Sequence, residues 1–426
     1  MSQTPTTRQL LDDCFLHDKD RMKHAEVLET IARVVSLIVG DEMVGLEEAA
    51  GRICAADITA PRNVPLASNS AVDGYAFDHG EYVKTQGRLE LAALIAAGDT
   101  HSVMLKAAQC ARIFTGAIMP QNAQTVAMQE DCTIGDDGLI HIPAGLKLGA
   151  NSRVAGEDLK SGDMVVREGD FLTPARIAAL ASIGCAQVLV RQKLRIGILS
   201  TGNEIIEPGA PLSVGKIYDA NRPMLKALLA SEHVEITDLG IAADDEAFIT
   251  DVIRTAASDH DLILTSGGAS RGDEDHMLNV LAKLGSRHLW QIAIKPGRPM
   301  MFGQIGNAVI IGLPGNPVAS MVCTNLYVFP LIAKLIGANA KPPMGFYVPS
   351  GFDIARKKTD RREFLRGWLN MDENGKTIAM KFPRDGSGLI TGLRLAEGLI
   401  EIPEDVDLVR SGDPVRFIPF SSFKLG

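Results

Sequence analysis

Between residues 191 and 335, stretches that are almost entirely apolar alternate with amphipathic stretches. The strand-like stretches are 194–199, 262–264 and 308–311, and helical spacing of apolar residues covers 223–231, 246–257 and 317–335. Strands that are apolar on both faces need cover on both sides, and alternation with helices indicates parallel crossover connections. We therefore predict a doubly wound, mostly parallel α/β domain. In such domains ligands bind beyond the carboxyl ends of the strands.

The rest of the chain has a different pattern. A chain of 426 residues exceeds what one hydrophobic core usually serves. Apolar residues have helical spacing over 24–39, and Pro174 and Gly184 bracket a second helix. We predict an α/β multidomain protein with an N-terminal linker domain (1–60 plus 151–190), an inserted β-rich domain (61–150), the central α/β domain (191–340) and a small C-terminal β domain (341–426).

Composition excludes several classes of protein. The net charge is −9, and the absence of Lys or Arg runs argues against nucleic acid as a partner. The six cysteines form no CxxC pair, and neither His ligand spacing nor a GxSxG elbow occurs, so zinc and hydrolase-triad sites lack support. The strongest apolar stretch, 326–337, contains a proline and a lysine and is too short to span a bilayer. With no apolar signal segment at the N-terminus, we expect a cytoplasmic protein that does not enter a membrane.

Three glycine-containing loops follow the predicted central strands: 200–204 (STGNE), 265–270 (TSGGAS) and 313–317 (LPGNP). Glycine lets backbone N–H groups approach an anion, and a following helix N-terminus adds a favourable dipole. One such turn more often only connects two elements, whereas three at one sheet edge indicate a phosphate cradle. The candidate anion-binding residues in the last two loops are Gly267, Gly268, Ser270, Gly315, Asn316 and Pro317.

Charged residues stand at the same predicted edge. Glu204, Asp244 and Asp275 carry the oxygen donors that Mg²⁺ prefers, although Asp244 could equally cap the next helix. Lys295 and Arg298 lie in the proline-rich turn that ends at Pro299. Two cations in a stiff turn favour an anion site over a solvated connector.

Six segments occur in a fixed order: SAVDGYA, RIFTGA, STGNE, TSGGASRGDED, AIKPGRP and GLPGNPVAS. Together they closely resemble the molybdopterin molybdenumtransferase family, which includes MoeA and the gephyrin E domain, over roughly residues 24–420. The resemblance implies a four-domain homodimer whose N-terminal domain takes part in dimerisation. It also implies an enzyme that inserts molybdate into adenylylated molybdopterin, releases AMP and needs Mg²⁺.

The resemblance also assigns roles to residues. Asp73 and Thr115, which lie in loops that are otherwise unremarkable, match family active-site positions. Glu204, Asp244 and Asp275 match the acidic cluster at the nucleotide and metal, and Lys295 matches a molybdate-binding lysine. REFLRG and DGSGL point to Arg366 and Ser387 as further anion contacts. Two departures are Arg298, where many members have lysine, and Ala319, where some relatives have serine.

Two other functions are compatible with parts of the chain. A molybdopterin adenylyltransferase, which catalyses the preceding reaction, would need little beyond residues 191–340. A gephyrin-like scaffold would need a long linker or a second fused domain. The molybdopterin adenylyltransferase and the molybdoenzymes that accept the cofactor are the expected protein partners.

Overall fold

The computed structural model describes residues 21–267, 276–384 and 386–424, with the backbone alone at 287–290. These residues form two compact units. The first contains the described parts of Met1–Ala55, Gly169–Thr173 and Val188–Gly426, and the second contains Ala56–Glu168 and Pro174–Gln187. The predicted division into four domains stays a prediction.

The described residues contain nine α-helices, which are α1 (His24–Val34), α2 (His79–Lys84), α3 (Pro174–Ser182), α4 (Asn221–Leu229), α5 (Glu246–Asp259), α6 (His276–Leu284), α7 (Pro317–Cys323), α8 (Phe329–Leu335) and α9 (Ile390–Leu395). The strands in the same residues are β1 (Asp41–Gly45), β2 (Ile58–Thr59), β3 (Asn69–Ser70), β4 (Gly74–Phe77), β5 (Arg88–Ile95), β6 (Gln109–Ile113), β7 (Thr125–Met128), β8 (Thr133–Ile134), β9 (Ile140–His141), β10 (Ser152–Arg153), β11 (Met164–Val166), β12 (Gln187–Arg191), β13 (Leu194–Thr201), β14 (Ile205–Ile206), β15 (Ile217–Tyr218), β16 (Val234–Ala242), β17 (Leu262–Ser266), β18 (Ser286–Gln291), β19 (Ile294–Lys295), β20 (Pro299–Ile305), β21 (Ala308–Leu313), β22 (Phe346–Pro349), β23 (Arg362–Met371), β24 (Thr377–Lys381), β25 (Gly398–Ile402) and β26 (Pro414–Pro419).

The central sheet of the first unit has the strand order β16-β13-β17-β21-β20-β18. The four strands from β16 to β21 are parallel, and β20 pairs antiparallel with both β21 and β18. One face packs against α4, α7 and α8, and the other packs against α5 and α6. The predicted doubly wound, mostly parallel sheet is therefore confirmed, with an antiparallel hairpin at one edge.

A second six-stranded sheet in the first unit has the order β19-β23-β25-β26-β22, and β24 pairs with β23. All its strands but one come from the predicted C-terminal β region. The exception is β19, which pairs parallel with β23 so that Ile294 faces Arg362 and Lys295 faces Glu363. This two-residue strand lies between β18 and β20, so a single excursion of the chain joins the two sheets.

The second unit is built around a sheet with the order β7-β4-β6-β5-β9-β8. Apolar residues from both of its faces form two small cores. The short strands predicted at 89–95 and 125–129 correspond to β5 and β7. The predicted β-rich character of this region is therefore confirmed. The helix predicted from Pro174 to the glycine at 184 is α3, and Gly184 has a φ of +84°.

Two helices differ from the sequence-based expectation. The first helix ends at Val34 rather than near residue 39, and Val35 and Ile38 pack against the core in extended chain. The stretch predicted to be too short for a bilayer belongs to one helical run, Pro317–Leu335, in which a π-helical turn joins α7 to α8. This run is long and apolar enough to cross a membrane, but 83% of it is buried within the protein, as in the core helix of a globular domain.

His24 anchors the start of α1. Only 8% of its surface is exposed, and its Nδ1 lies 3.0 Å from the Tyr327 hydroxyl. The rings of Tyr327 and Phe364 pack edge-on against it. Burial, helped by the positive charge of Arg362, lowers the pKa of His24 to about 4. The imidazole is therefore neutral at neutral pH.

This burial predicts how stability depends on pH. The pKa of His24 is lower in the folded chain than the ordinary value of 6.5, so the unfolded chain binds more protons between the two values. Stability is then lost as the pH falls from 6.5 to about 4, and the loss between pH 7 and pH 5 is roughly 2 kcal/mol. In His24→Gln, which does not titrate, we expect this part of the pH dependence to disappear.

Urea unfolding followed by tryptophan fluorescence measures the effect, because Trp290 and Trp368 both belong to the unit that contains His24. His101→Gln is the control, since the His101 side chain is 90% exposed. An unchanged difference in unfolding free energy between pH 7 and pH 5 in His24→Gln would contradict this account.

Candidate active site

The loops predicted to bind anions meet at the carboxyl ends of the parallel strands. Gly202 follows β13 and donates its N–H to Ala242 O, at the end of β16, at 3.2 Å. Gly267 follows β17 and donates to Leu313 O, at the end of β21, at 3.2 Å. Gly315 lies next to Gly267, since a Cβ on Gly315 would be 3.9 Å from the Gly267 Cα. One sheet edge thus holds the three loops.

Glycine is required at Gly267 for two reasons. Its φ is +95°, and a Cβ there would approach Thr201 O to 2.7 Å. Asn221, the first residue of α4, joins this loop to the next one. Its Nδ2 donates to Ser266 Oγ at 2.7 Å and to Gly315 O at 2.6 Å. No sequence pattern distinguishes Asn221, because a lone asparagine at a helix start usually serves as a cap.

The described acidic residues predicted to bind metal lie at the same edge. Asp244 Oδ2 accepts the Asn203 N–H at 2.9 Å, and Asp244 N donates to Asn203 Oδ1 at 3.1 Å, which ties the loop after β16 to the loop after β13. Glu204 lies in that second loop and is exposed. The helix-capping alternative for Asp244 is wrong, because Asp245 caps α5 by accepting the Phe248 N–H at 2.7 Å.

Three predicted site residues, Gly268, Ser270 and Asp275, lie outside the described residues. Within the described residues, no group of three or more His, Cys, Asp or Glu side chains is placed to hold a metal. Glu204 and Asp244 stay predicted metal ligands.

A cavity of about 270 Å³ in the first unit gathers the predicted molybdate-binding residues, and we call it the anion pocket. Its lining includes six predicted site residues: Lys295, Arg298, Pro299, Asn316, Arg366 and Ser387. Of the other predicted residues, Gly315 precedes Asn316 in the chain, and Pro317 is the first residue of α7. The pocket therefore continues from the glycine loops of the sheet edge.

The pocket has a strongly cationic wall. Six basic residues line it, and the described lining residues contain no carboxylate; the basic residues are Arg21, Lys295, Arg298, Arg361, Arg366 and Arg384. Three of them, Arg21, Arg361 and Arg384, were missed by sequence analysis. They lie in mixed-charge stretches whose pattern is that of an ordinary solvated surface.

Each predicted cation is held in place by neighbours. Lys295 Nζ lies 3.4 Å from Glu363 Oε2, and Arg298 donates to Gln291 Oε1 at 3.2 Å. Arg366 is only 6% exposed and donates to the carbonyl oxygens of Leu389 and Arg384 at 2.9 and 2.8 Å. These contacts orient the cations before an anion arrives, which reduces the entropy lost on binding.

Ser387 also links two elements around the pocket. Its carbonyl oxygen accepts the Val318 N–H at 3.2 Å, so the loop after β24 is attached to the first turn of α7. Asn316 lies immediately before that turn. The C-terminal β sheet and the central sheet therefore both contribute to one pocket.

Asp73 and Thr115 contact each other in the second unit. Asp73 Oδ1 accepts the Thr115 N–H at 2.7 Å and the Thr115 hydroxyl at 2.8 Å. These bonds, the backbone one first, lower the pKa of Asp73. Arg112, which packs over the rings of Tyr75 and Phe114, lowers that pKa further by its charge. The carboxylate is therefore ionised and oriented at neutral pH.

Comparisons with known proteins agree with this arrangement. Family models match in order: the MoeA N-terminal region (domain I and II) at residues 22–184, a probable molybdopterin binding domain at 197–334 and the MoeA C-terminal region (domain IV) at 348–420. The molybdopterin molybdenumtransferase of Haemophilus influenzae is 39% identical over 89% of this chain and 94% of its own length. The chain belongs to the molybdopterin molybdenumtransferase family.

More distant relatives also match this chain over most of its length and most of their own. The molybdopterin molybdenumtransferase of a Nostoc species is 32% identical over 88% of this chain and 87% of its own length. A crystal structure of the molybdopterin biosynthesis MoeA protein from Pyrococcus horikoshii has a TM-score of 0.78 at 28% identity, covering 94% of this chain and 100% of that chain. The chain is therefore an enzyme of molybdenum cofactor biosynthesis, a transferase of molybdenum.

The Asp73–Thr115 contact generates a prediction about the pKa. In Thr115→Val the hydroxyl donor is lost while the backbone N–H donor, the larger cause of the shift, remains. We expect the pKa of Asp73 to rise but to stay below its ordinary value. Carboxyl ¹³C NMR titration of aspartate-labelled protein measures this pKa, and Asp73→Asn assigns the signal. A pKa that does not move would show that the hydroxyl contributes nothing to the ionised form.

Proposed function

We propose that the enzyme transfers molybdenum from molybdate to adenylylated molybdopterin and releases AMP in a Mg²⁺-dependent reaction. The observation that carries this proposal is the adjacency, in one unit, of two features predicted to bind anions: the anion pocket and the glycine loops of the sheet edge. Both substrates are anions that must be brought close together, which requires preorganised positive charge around the reacting groups.

The pocket supports molybdate as the substrate bound beside the KPGRP turn. Molybdate is a tetrahedral dianion, and the pocket is lined by Lys295 and Arg366, from the paired strands β19 and β23, and by Arg298 in the turn after β19. Neutralising the dianion lets the two dithiolene thiols approach it and replace an oxo ligand, whose oxygen leaves as water with the two thiol protons. Arg298 replaces the lysine found in many members and offers a planar pair of donors instead of a point charge.

Mg²⁺ fits the chemistry of the donor set at the sheet edge. Glu204 and Asp244 present carboxylate oxygens, which are the hard ligands that Mg²⁺ takes, and Asp275 is the third candidate ligand. When bound, Mg²⁺ would neutralise phosphate charge on the departing AMP. In the chain itself, the Asn203–Asp244 bonds hold two of the loops together at this edge.

The adenylyltransferase alternative explains less of the chain. It accounts for the central sheet alone, whereas the Asp73–Thr115 pair and the anion pocket, which includes residues of the C-terminal sheet, would have no role. The scaffold alternative gives no role to the Asp73–Thr115 pair or to the anion pocket. A cytoplasmic location, a homodimer, and contact with a molybdopterin adenylyltransferase or with molybdoenzymes that accept the cofactor remain part of the proposal.

The direct test follows AMP release from adenylylated molybdopterin in the presence of molybdate and Mg²⁺. Lys295→Ala removes one pocket cation, and we expect the KM for molybdate to rise by about tenfold while nucleotide binding is largely retained. The readouts are AMP release as molybdate is varied and calorimetric binding of AMP.

Lys283→Ala is the matched control, because Lys283 lies on α6, is ion-paired with Glu246 and does not line the pocket. If purified wild-type protein releases no AMP with molybdate and Mg²⁺ present, the proposed reaction is wrong. If Lys295→Ala abolishes AMP binding instead of weakening molybdate use, the role given to Lys295 is wrong.

The proposed homodimer makes a second prediction. We propose that each active site combines Asp73 of one subunit with Asp275 and Lys295 of the other, as an inserted domain that reaches across a two-fold axis would allow. When inactive Asp73→Asn and Asp275→Ala proteins are unfolded and refolded together, half of the dimers should be mixed. One site in each mixed dimer then lacks both changes, so activity should return to roughly a quarter of wild type.

Mass spectrometry of differently labelled chains establishes that mixed dimers form. Separately refolded variants, mixed only afterwards, are the control and should stay inactive. Mixed dimers without activity would place both aspartates in the site of one chain.

A further inference from the structure

One cation of the anion pocket lies before the region that the family models match. The first match begins at residue 22, and the pocket is also lined by Arg21. The matched family model therefore assigns no function to Arg21. Arg361 and residues 292–294, which lead into the KPGRP turn, line the pocket as well.

The backbone beside Arg21 is fixed to that segment. Met22 N donates to Gln291 O at 2.9 Å, and Ala293 N donates to Met22 O at 2.8 Å. Met22 thus forms a parallel bridge with Ile292, three residues before Lys295. His24, two residues after Met22, is buried against Tyr327 and Phe364. Arg21 is therefore attached to a rigid part of the pocket wall.

The side chain of Arg21 has an acidic partner in the structure. Arg21 Nη1 lies 2.9 Å from Asp360 Oδ2, and the two side chains are 34% and 52% exposed. An ion pair this exposed adds little to stability, since such pairs are typically worth less than about 1 kcal/mol. An incoming oxyanion, which offers the same kind of acceptor with a higher charge, can take the place of the carboxylate at little cost.

We propose that Arg21 is an additional oxyanion-binding residue of the anion pocket, and that it exchanges Asp360 for the tetrahedral dianion when substrate binds. This inference rests on the proposed molybdate site. Arg21 adds a charge from the N-terminal segment to those of Lys295, Arg298 and Arg366. Asp360 holds the guanidinium near the pocket and competes with the substrate for it.

The exchange predicts opposite effects for the two partners. Arg21→Gln should raise the KM for molybdate roughly fivefold with kcat unchanged, which is the effect of one partly screened charge. Asp360→Asn should lower that KM, because the competing carboxylate is gone. In the double variant the benefit of Asp360→Asn should disappear, and Arg21→Lys should fall between wild type and Arg21→Gln.

Calorimetric titration of the full-length protein with molybdate alone gives a readout that is independent of turnover. Arg254→Gln is the matched control, because Arg254 forms an exposed ion pair with Asp251 on α5 and does not line the pocket. We expect this control to bind molybdate as wild type does.

Three outcomes would overturn the inference. The first is unchanged molybdate binding in Arg21→Gln. The second is a rise in KM in both single variants, as expected of a pair that only supports structure. The third is that Asp360→Asn lowers the KM for molybdate equally in the double variant, which would mean that Asp360 acts only by repelling the anion. If Lys295→Ala also leaves molybdate binding unchanged, the proposed molybdate site itself is wrong; if only Arg21→Gln does, the error is confined to Arg21.

Discussion

The anion pocket depends on the excursion of the chain between β18 and β20. The chain leaves the central sheet at Gln291, pairs Ile294 and Lys295 with β23 of the C-terminal sheet, turns through Gly297 and returns to the central sheet at Pro299. The position of Lys295 is therefore set by strand pairing on both sides of the turn: β19 pairs with β23 before it, and β20 pairs with β18 after it. Lys295 and Arg366 therefore belong to one sheet, and Arg298 lies in the turn that leads back to the other.

The carboxyl edge of the central sheet depends on a charge network around the buried side chain of Arg222. The Arg222 side chain is only 5% exposed and pairs with Glu207, Asp219 and Asp238, which come from three different parts of the chain. Removing Arg222 would leave the Asp219 carboxylate, whose side chain is only 2% exposed, without its ion-pair partner, which is strongly destabilising. Asp219 Oδ1 also accepts the N–H groups of Asn221 and Arg222, so the network fixes the start of α4. That start in turn places Asn221 between the Ser266 and Gly315 loops.

Some elements could be predicted from sequence and others could not, for physical reasons. The buried parallel strands β13, β17 and β21 are continuous apolar runs, and the prediction found all three. It missed β16, which lies at the sheet edge and is partly exposed, so its sequence VEITDLGIA mixes polar and apolar residues. It also missed the hairpin of β18 and β20, because glycine and glutamine interrupt the apolar run of β20. The first helix was predicted too long because apolar residues remain buried after the backbone becomes extended.

By itself, the sequence determined the doubly wound sheet, its glycine loops and the family, since these depend on apolar runs, turn chemistry and ordered motifs that are local in the chain. It also predicted Lys295, Arg366 and Ser387 as anion contacts through resemblance, and Arg298 as one from the stiff turn that it shares with Lys295. Only the tertiary structure decided that these residues share one pocket, because β19 and β23 are brought together by pairing across 68 positions of sequence. The structure likewise decided the places of Arg21 and Asn221, whose neighbours are distant in the chain and which no local pattern distinguishes from an ordinary surface charge or helix cap.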